Sequence, residues 1–412
     1  MANTTGRAAK ILGAATAVSA SFLIAGAAAA AAAPAQASTP AARHPAHPRA
    51  PQFRVRQILN GMKLRHSYVP VGSSTRKTEP LTSPDDIGVL GHHIFTAFQN
   101  GVGPQGEPSS DGNTMSTVVE FTASGHVVRQ WDLKGKCDGL TTDTGRHLVI
   151  ATVNEDAHSS VYTITPGAAA AAQVQHYRYN EPLPSKGGTD AISVYHGRIL
   201  ISASAPGTAG KAAPQPSYPA VYSVTFDRAS HVATVRPLFF DESRATVANL
   251  GRDHGRVVRL ALTDPDSNEI VPASGPRFAG DFMLTSQGDK EQIFVQPGRG
   301  RAPRLSVLRL SQSVDDTAWA RSPRGRLYGS DTSGDTIDVI TGRFPAHSIF
   351  VAVTPCDAAN APATCPGPGF PPNYLGSLNP RTGHISRVRP SGPAFEPQGM
   401  VFVSPGWVVT PG

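Results

Sequence analysis

The sequence predicts an all-β fold assembled from repeated units, and three observations support this prediction. The chain holds 40 Gly and 37 Pro among its 412 residues, so turns are frequent. After residue 35, no long stretch keeps apolar residues at the 3.6-residue spacing of an amphipathic helix. Short runs of β-branched and aromatic residues lie instead between turn residues, as they do in β-strands.

The segment Cys137–Thr152 shows the repeated unit most clearly. It contains an acidic residue, a short apolar strand, a Gly-containing turn and a second apolar strand. Versions of this pattern recur at least five more times along the chain. Regular recurrence of one strand pattern is typical of closed repeat architectures.

The first three units are complete and open at Asp86, Asp138 and Asp190. Each supplies four strands, with short turns between the first two and between the last two. The predicted third and fourth strands are Ser116–Phe121 with His126–Trp131, Ser160–Thr165 with Gln173–Tyr179, and Val221–Phe226 with His231–Leu238.

The last three units are less regular. Unit four opens near Asn249, and an insertion over Thr263–Lys290 precedes outer strands at Gln292–Val295 and Leu305–Leu310. Unit five opens at Asp316 and turns at Arg324–Arg326, and its outer strands are Tyr374–Leu378 and His384–Val388. Unit six has only Glu396–Phe402 and Trp407–Val409, so its outer strands are expected from Phe53–Val71.

Six openings predict a six-bladed β-propeller closed by strands from both ends of the chain, which removes exposed strand edges. The insertions in units four and five leave seven blades as an alternative. The pattern resembles the secreted propellers of the YncE-like, NHL and TolB-like superfamily, in phrases such as Asp316-Thr317-Ala318-Trp319 with Gly325-Arg326-Leu327-Tyr328. The resemblance implies the fold alone, because such propellers include lactonases, lyases and binding scaffolds.

The N-terminus predicts an exported protein. Arg7 and Lys10 precede an apolar run and an Ala-x-Ala site, so residues 1–37 are expected to be a cleaved signal peptide. An uncleaved membrane anchor is the alternative. Residues 38–52, rich in Ala and Pro, are expected to form a disordered tether, and residues 53–412 to form one propeller domain.

The remaining chain carries a net charge of only +5 once Arg7 and Lys10 are set aside, which is not the footprint of a nucleic-acid-binding protein. Cys356 and Cys365 lie in one Pro-rich loop and are expected to form a disulfide in an exported protein. Cys137 borders an apolar strand and is expected to be a buried thiol.

The resemblance also implies where the polar residues lie. In such propellers the loops into the inner strands share one face, so the six openings would ring one channel mouth: Asp86, Asp138, Asp190, Asn249, Asp316 and Glu396. Gluconolactonase-like relatives hold a divalent metal there, and Ca²⁺ or another divalent cation would offset the charge. The alternative is that each side chain accepts hydrogen bonds from the next blade.

The turns between first and second strands would lie on the opposite face. They carry His92, His147, His196 and His254 with several Arg residues, which fits either turn chemistry or an anion-binding surface. Asp264-Pro265-Asp266-Ser267-Asn268 has part of a calcium-loop spacing but lacks its Gly and Glu, so an Asp-rich turn is expected.

Two functions follow from these observations. The first is a secreted scaffold, expected to be a monomer, that binds a ligand or an envelope polymer through its large loops: Gln99–Asn113, Ala205–Tyr218, Thr263–Lys290 and Gly342–Asn373. The second is a divalent-metal-dependent hydrolase, lactonase or lyase with its site at the acidic mouth. The sequence shows no Ser-hydrolase, metalloprotease or phosphate-binding motif.

Overall fold

The computed structural model describes residues 52–183, 188–204, 217–296, 302–357, 365 and 371–406, all within the compact unit Ala50–Gly412. The predicted signal peptide, nearly all of the tether and the predicted strand Trp407–Val409 lie outside these ranges. Within them, no helix combines the length and the hydropathy that crossing a bilayer requires.

The first half of the described chain is almost entirely β-structure, with one 3₁₀ turn at Gly61–Lys63 and one short helix, α1, at Ala170–Gln173. Its strands are β1 Phe53–Asn60, β2 Arg65–Tyr68, β3 Lys77–Pro80, β4 Pro84–Leu90, β5 His93–Phe98, β6 Met115–Thr122, β7 Val127–Lys134, β8 Cys137–Asp143, β9 Leu148–Val153, β10 Ser160–Ile164, β11 Val174–Tyr179, β12 Ile192–Tyr195, β13 Arg198–Ser202, β14 Pro219–Asp227 and β15 Val232–Phe240.

The second half continues with strands alone. They are β16 Arg244–Val247, β17 Val257–Arg259, β18 Pro265–Ile270, β19 Phe282–Ser286, β20 Glu291–Gln296, β21 Arg304–Arg309, β22 Val314–Trp319, β23 Arg326–Asp331, β24 Thr336–Gly342, β25 Ile349–Val353, β26 Tyr374–Leu378, β27 Ile385–Arg387 and β28 Pro397–Val403.

These strands form six four-stranded antiparallel blades, as the sequence predicts. From the inner to the outer strand the blades are β4-β5-β6-β7, β8-β9-β10-β11, β12-β13-β14-β15, β18-β19-β20-β21, β22-β25-β26-β27 and β28-β23-β24-β1. Blades two and three are also joined at their outer edges, where Arg178 and Tyr179 of β11 pair in parallel with Val232 and Ala233 of β15.

The apolar core is divided among the gaps between blades. Six clusters of buried side chains each join two neighbouring blades. One of them packs Ile94 and Phe121 of blade one against Tyr328 and Val339 of blade six, which closes the ring. Because each blade buries apolar side chains on both faces, neither blade of a pair is stable without its neighbour.

The predicted closure by both chain ends is confirmed, with a correction to the strand order. The C-terminal strand β28 is the inner strand of blade six, and the N-terminal strand β1 is its outer strand. Their partners β23 and β24 come from the segment that follows the inner strand of blade five, so Arg326 begins the second strand of blade six. The prediction that unit six takes its second strand from Trp407–Val409 is therefore wrong.

The predicted opening of unit four is also wrong. Residues 244–259 form a hairpin, β16-β17, whose first strand pairs with the outer strand β21. The inner strand of this blade is β18, inside the predicted insertion Thr263–Lys290. Its sequence Pro265-Asp266-Ser267-Asn268-Glu269-Ile270 is polar because it lines the channel, so an apolar pattern does not reveal it.

Close approach of neighbouring inner strands depends on glycine. A Cβ atom at Gly139 would lie 2.1 Å from the carbonyl oxygen of Asp190 and 2.3 Å from Oγ1 of Thr152. That hydroxyl donates to the Asp190 carbonyl oxygen at 2.7 Å and accepts from Gly139 N–H at 3.0 Å. A side chain at this position would force blades two and three apart.

We therefore expect Gly139→Ala to lower the free energy of unfolding by about 1–3 kcal/mol, as overpacked substitutions do. The matched control is Gly145→Ala in the turn of the same blade, where the new Cβ meets nothing closer than Asp143 Oδ1 at 3.4 Å. Urea unfolding of both variants measures the difference. Equal stability of the two variants would contradict the role of Gly139.

Candidate functional site in the propeller channel

The starts of the inner strands converge on a cavity of about 310 Å³ at one end of the channel, which we call the acidic mouth. None of the described residues that line it has an apolar side chain. Nine carboxylates face one ammonium group there, and the lining residues are Asp85, Asp86, Gln99, Lys136, Asp138, Glu155, Asp190, Ser204, Asp264, Asp266, Gln287, Asp315, Asp357 and Gln398. An excess of buried carboxylates of this size requires protons or cations to offset it.

Lys136 and Gln99 organise one side of the acidic mouth. Lys136 Nζ lies 2.7 Å from Asp138 Oδ1 and also forms an ion pair with Glu155. Gln99 Nε2 donates to Asp85 Oδ2 at 2.6 Å and to Asp138 Oδ1 at 2.9 Å. These two side chains hold three carboxylates in place, those of Asp85, Asp138 and Glu155, so this part of the cavity is preorganised.

Two aspartates join adjacent blades through backbone groups. Leu140 N–H of blade two donates to Asp86 Oδ2 at 2.9 Å. Met400 N–H of blade six donates to Asp316 Oδ2, and Thr317 N–H donates to Asp316 Oδ1. The alternative interpretation, that opening residues accept hydrogen bonds from the next blade, is confirmed for Asp86 and Asp316.

The structure brings together three of the six predicted ligands at the acidic mouth: Asp86, Asp138 and Asp190. Asp316 lies further along the channel and lines a second cavity with Asp86.

The other two predicted ligands lie outside the mouth. Asn249 belongs to the outer hairpin, where its Nδ2 donates to the carbonyl oxygens of Arg309 and Thr382. Glu396 precedes the inner strand of blade six and accepts from Ser333 Oγ.

Sequence reasoning missed several residues of the acidic mouth. Asp264 and Asp266 belong to the segment interpreted as an Asp-rich turn, although its alternating polar residues could have indicated an inner strand. Asp85 and Asp315 are the first members of two Asp-Asp pairs that open inner strands. No sequence pattern around Lys136, Glu155 or Asp357 indicates that these residues line the cavity. They reach it from loops whose course is determined by the fold.

Burial raises the pKa of several carboxyl groups in the acidic mouth. It raises the pKa of Asp85 to about 7, with nearby Glu155 adding to the rise and Lys136 and Gln99 opposing it. Burial likewise raises the pKa of Asp264 to about 7, and those of Asp190, Asp266 and Asp315 well above the usual range. Burial alone would lower the pKa of Lys136, but Asp138 and Glu155 raise it, so this ammonium stays charged.

One observation supports a cation at this site and another restricts how it binds. Asp138 is 7% exposed, and its Oδ2 is buried without a hydrogen-bond partner. Among the described residues, no three carboxylate, imidazole or thiol groups converge closely enough to hold a bare metal ion. The donor set therefore fits a cation that keeps part of its water shell, as Mg²⁺ and Ca²⁺ sites do.

The turns on the opposite face have ordinary turn geometry and contacts at Arg146, His147 and His196. His147 and His196 have φ angles of 54° and 48°, the left-handed conformation that such turns require. Arg146 pairs with Asp143 at 2.7 Å within its own turn. These contacts lie within the turns and do not test the predicted anion-binding surface, which stays a prediction.

The cysteines are arranged as predicted. Cys356 and Cys365 form a disulfide with Cα atoms 5.4 Å apart, in the loop between β25 and β26. Cys137 is a free, fully buried thiol, and burial raises its pKa well above the usual range. A protonated and buried thiol is not a nucleophile, so Cys137 belongs to the core between blades one and two.

No protein-family model matches the chain, and no curated protein matches its sequence. Solved structures match it at low identity. A chain of a nidogen/laminin complex gives a TM-score of 0.46 at 7% identity, covering 85% of this chain and 98% of that one. A Bacteroides caccae protein of unknown function gives 0.43 at 9%, covering 86% and 99%. The periplasmic gluconolactonase of Pseudomonas aeruginosa gives 0.41 at 11%, covering 85% and 99%.

The raised pKa values predict how the free energy of unfolding depends on pH when divalent cations are absent. Between pH 5 and 8 the folded protein binds more protons than the unfolded chain, because Asp85 and Asp264 titrate near 7 when folded and near 4 when unfolded. The free energy of unfolding should therefore fall as pH rises through this window, by up to about 1.4 kcal/mol per pH unit for each such group.

Urea unfolding in EDTA at pH 5, 6, 7 and 8 measures this slope. Asp264→Asn should make the slope shallower. The control is Asp227→Asn, which should leave the slope unchanged, because Ser230 and neighbouring backbone N–H groups lower the pKa of Asp227. A free energy of unfolding that rises with pH would contradict the assignment.

Proposed function

We propose that the protein is an exported propeller whose acidic mouth binds a divalent cation, with Ca²⁺ the best fit, and that this cation mediates ligand binding. The observation that carries the proposal is the convergence of nine carboxylates on one cavity that holds a single ammonium group. Such a cavity attracts cations strongly, because all but one of the ionisable side chains that line it are carboxyl groups.

The chemistry of the lining favours a hard inorganic cation over an organic one. All of its side chains are carboxylates, amides, one hydroxyl and one ammonium. An organic cation would need apolar surface for its carbon atoms, and the described residues that line this cavity supply none. Carboxylate, amide and water oxygens are the ligands that Ca²⁺ takes at a coordination number of six to eight.

Asp138 would provide the first contact for the cation, because its Oδ2 is already unpaired. Asp190 and Asp266 would add charge from blades three and four, and the amides of Gln287 and Gln398 would add neutral oxygens. The loop from Gln99 to Asn113 borders this mouth, since Gln99 lines it and Pro104 accepts a backbone hydrogen bond from Glu155. A ligand larger than the cation would therefore extend toward that loop. An anionic or hydroxyl-rich ligand, such as an envelope polymer, fits this arrangement.

Ca²⁺ should raise the melting temperature of the protein, and the effect should be larger at pH 8 than at pH 5.5. Protons compete with the cation for the carboxylates, whose raised pKa values keep several of them neutral below pH 7. At a Ca²⁺ concentration 100 times the Kd, the stabilisation would be about 2.7 kcal/mol. Differential scanning calorimetry with and without Ca²⁺ measures it.

Variants test where the cation binds. Asp138→Asn combined with Asp190→Asn should abolish the Ca²⁺ effect. Glu396→Gln removes the same kind of charge outside the mouth and should leave the effect intact. Loss of the effect in both variants, or in neither, would contradict a site at the acidic mouth.

A second candidate, a cation-dependent hydrolase of lactones or similar esters, is favoured by the position and pKa of Asp85. This carboxyl is 8% exposed, receives a hydrogen bond from Gln99 and has a pKa of about 7, which suits a general base at neutral pH. A bound divalent cation would polarise the ester carbonyl. Asp85 would take the proton of the attacking water, and Lys136 would lie near the negative charge that develops.

If the protein is such a hydrolase, turnover of small lactones in the presence of Ca²⁺ should rise with pH as Asp85 ionises. The rise should lie below pH 7, because a bound cation lowers the pKa of a neighbouring carboxyl. Asp85→Asn should lower kcat by roughly 10²–10⁴-fold, the usual contribution of a general base. A pH-stat assay with Glu396→Gln as the control measures this. Ca²⁺ binding without turnover of any lactone would leave the binding function and remove the enzymatic one.

A further inference from the structure

The opposite end of the channel holds a different kind of cavity, which we call the second mouth. It has a volume of about 500 Å³ and is lined mainly by the middle and final residues of the inner strands. Its walls include the aliphatic side chains of Val89, Leu140, Val194 and Ile270. The acidic mouth has no such surface, so the two cavities select different ligands.

Three carboxyl groups line the second mouth among these apolar walls. They belong to Asp86, Asp316 and Glu269, and the one cationic side chain in the lining is the exposed Arg321. Asp86 and Asp316 already accept backbone hydrogen bonds from neighbouring blades. Burial and nearby Asp86 raise the pKa of Glu269 to about 8, while Arg321 and a hydrogen bond from Ile270 N–H oppose the rise.

An independent observation also indicates a ligand that donates hydrogen bonds. Asn268 lines the second mouth, is 4% exposed, and its Oδ1 is buried without a hydrogen-bond partner. The orientation of its amide is fixed, because Nδ2 donates to the carbonyl oxygen of Ala191 at 2.6 Å. A buried acceptor without a donor costs about 1–3 kcal/mol, which a ligand N–H group would recover.

We propose that the second mouth is a binding site for a small alkyl amine. The ammonium group lies among Glu269, Asp86 and the Asn268 carbonyl oxygen, and the hydrocarbon chain lies along Val89, Leu140 and Ile270. Each ammonium hydrogen meets an acceptor, and the carbon atoms leave water for apolar walls. This site is separate from the cation site of the acidic mouth, although Asp86 borders both.

The test measures binding of n-pentylamine to the full-length protein by calorimetric titration, with 1-pentanol as the uncharged probe of the same length. Pentylamine should bind at least about tenfold more tightly than pentanol, because an ion pair in a partly desolvated site is stronger than one in water. A blocked Gly-Lys-Gly peptide shows whether a lysine side chain enters the site as well as a free amine. Weaker binding of the peptide assigns the site to free amines, and equal or tighter binding extends it to lysine.

Variants separate this site from the acidic mouth. Glu269→Gln should weaken pentylamine binding about tenfold or more and leave the Ca²⁺ effect on melting temperature unchanged. Asp138→Asn should do the reverse. Arg321→Ala removes an exposed positive charge and should strengthen pentylamine binding several-fold, so the proposal stays testable even if Glu269→Gln does not fold.

Equal affinities for pentylamine and pentanol would overturn the proposal. So would unchanged binding in Glu269→Gln and Arg321→Ala. Loss of amine binding in Asp138→Asn with retention in Glu269→Gln would place the amine in the acidic mouth and overturn it too.

Discussion

The free edge of each inner strand is the constraint on which the rest of the molecule depends. An inner strand pairs with one neighbour in its own blade, so the backbone groups on its other edge have no partner in a sheet. The chain satisfies several of them from the adjacent blade: Asp86 accepts from Leu140 N–H, and Thr152 donates to the carbonyl oxygen of Asp190. Ser202 donates to the carbonyl oxygen of Asp266 in the same way. Polar side chains at the channel are therefore required by the closure of the ring.

This requirement has an electrostatic consequence. Two aspartates near the starts of inner strands, Asp86 and Asp316, hold neighbouring blades together by accepting backbone hydrogen bonds from the next blade. At Asp190 and Asp266 the backbone carbonyl oxygen makes the contact between blades. Around a closed ring the same residues converge, which concentrates negative charge where water is scarce. The cost of that concentration is visible in the raised pKa values of Asp190, Asp266 and Asp315. Asp86, Asp190 and Asp266 thus join neighbouring blades, through a side chain or a backbone carbonyl group, and also line the candidate site.

The exchange of strands between blades five and six gives the closure additional strength. After β22 the chain crosses to blade six, forms β23 and β24, and returns to complete blade five with β25, β26 and β27. The N-terminal strand β1 then pairs with β24, and the C-terminal strand β28 pairs with β23. Blade six therefore contains three separate segments of the chain. Opening the ring at this point would break pairings in segments that are distant in sequence, which makes a local opening unfavourable.

The sequence predicted the all-β class, the blades, the closure by both termini, the disulfide and the buried Cys137, because each depends on local patterns. It could not predict the exchange between blades five and six, because the hairpin Arg326–Gly342 looks the same in either blade. The hairpin that follows Asn249 has the sequence pattern of a blade opening. The true inner strand β18 is mostly polar, so no apolar pattern indicates it. Lys136 and Glu155 reach the acidic mouth only through the folded course of their loops. Convergence of side chains from separate blades is a tertiary property, and no spacing along the chain encodes it.

The two ends of the channel follow from the direction of the inner strands. All six run the same way along the axis, so their starts meet at the acidic mouth, and mainly their middle and final residues line the second mouth. The starts need short acceptors for closure, and the ends continue into strands whose apolar residues face the next blade. A fully polar cavity and a mixed cavity therefore arise in one channel, and Asp86 belongs to both. Because a cation at one end changes the field at Asp86, binding at the two ends is expected to be coupled, and by linkage the coupling acts equally in both directions.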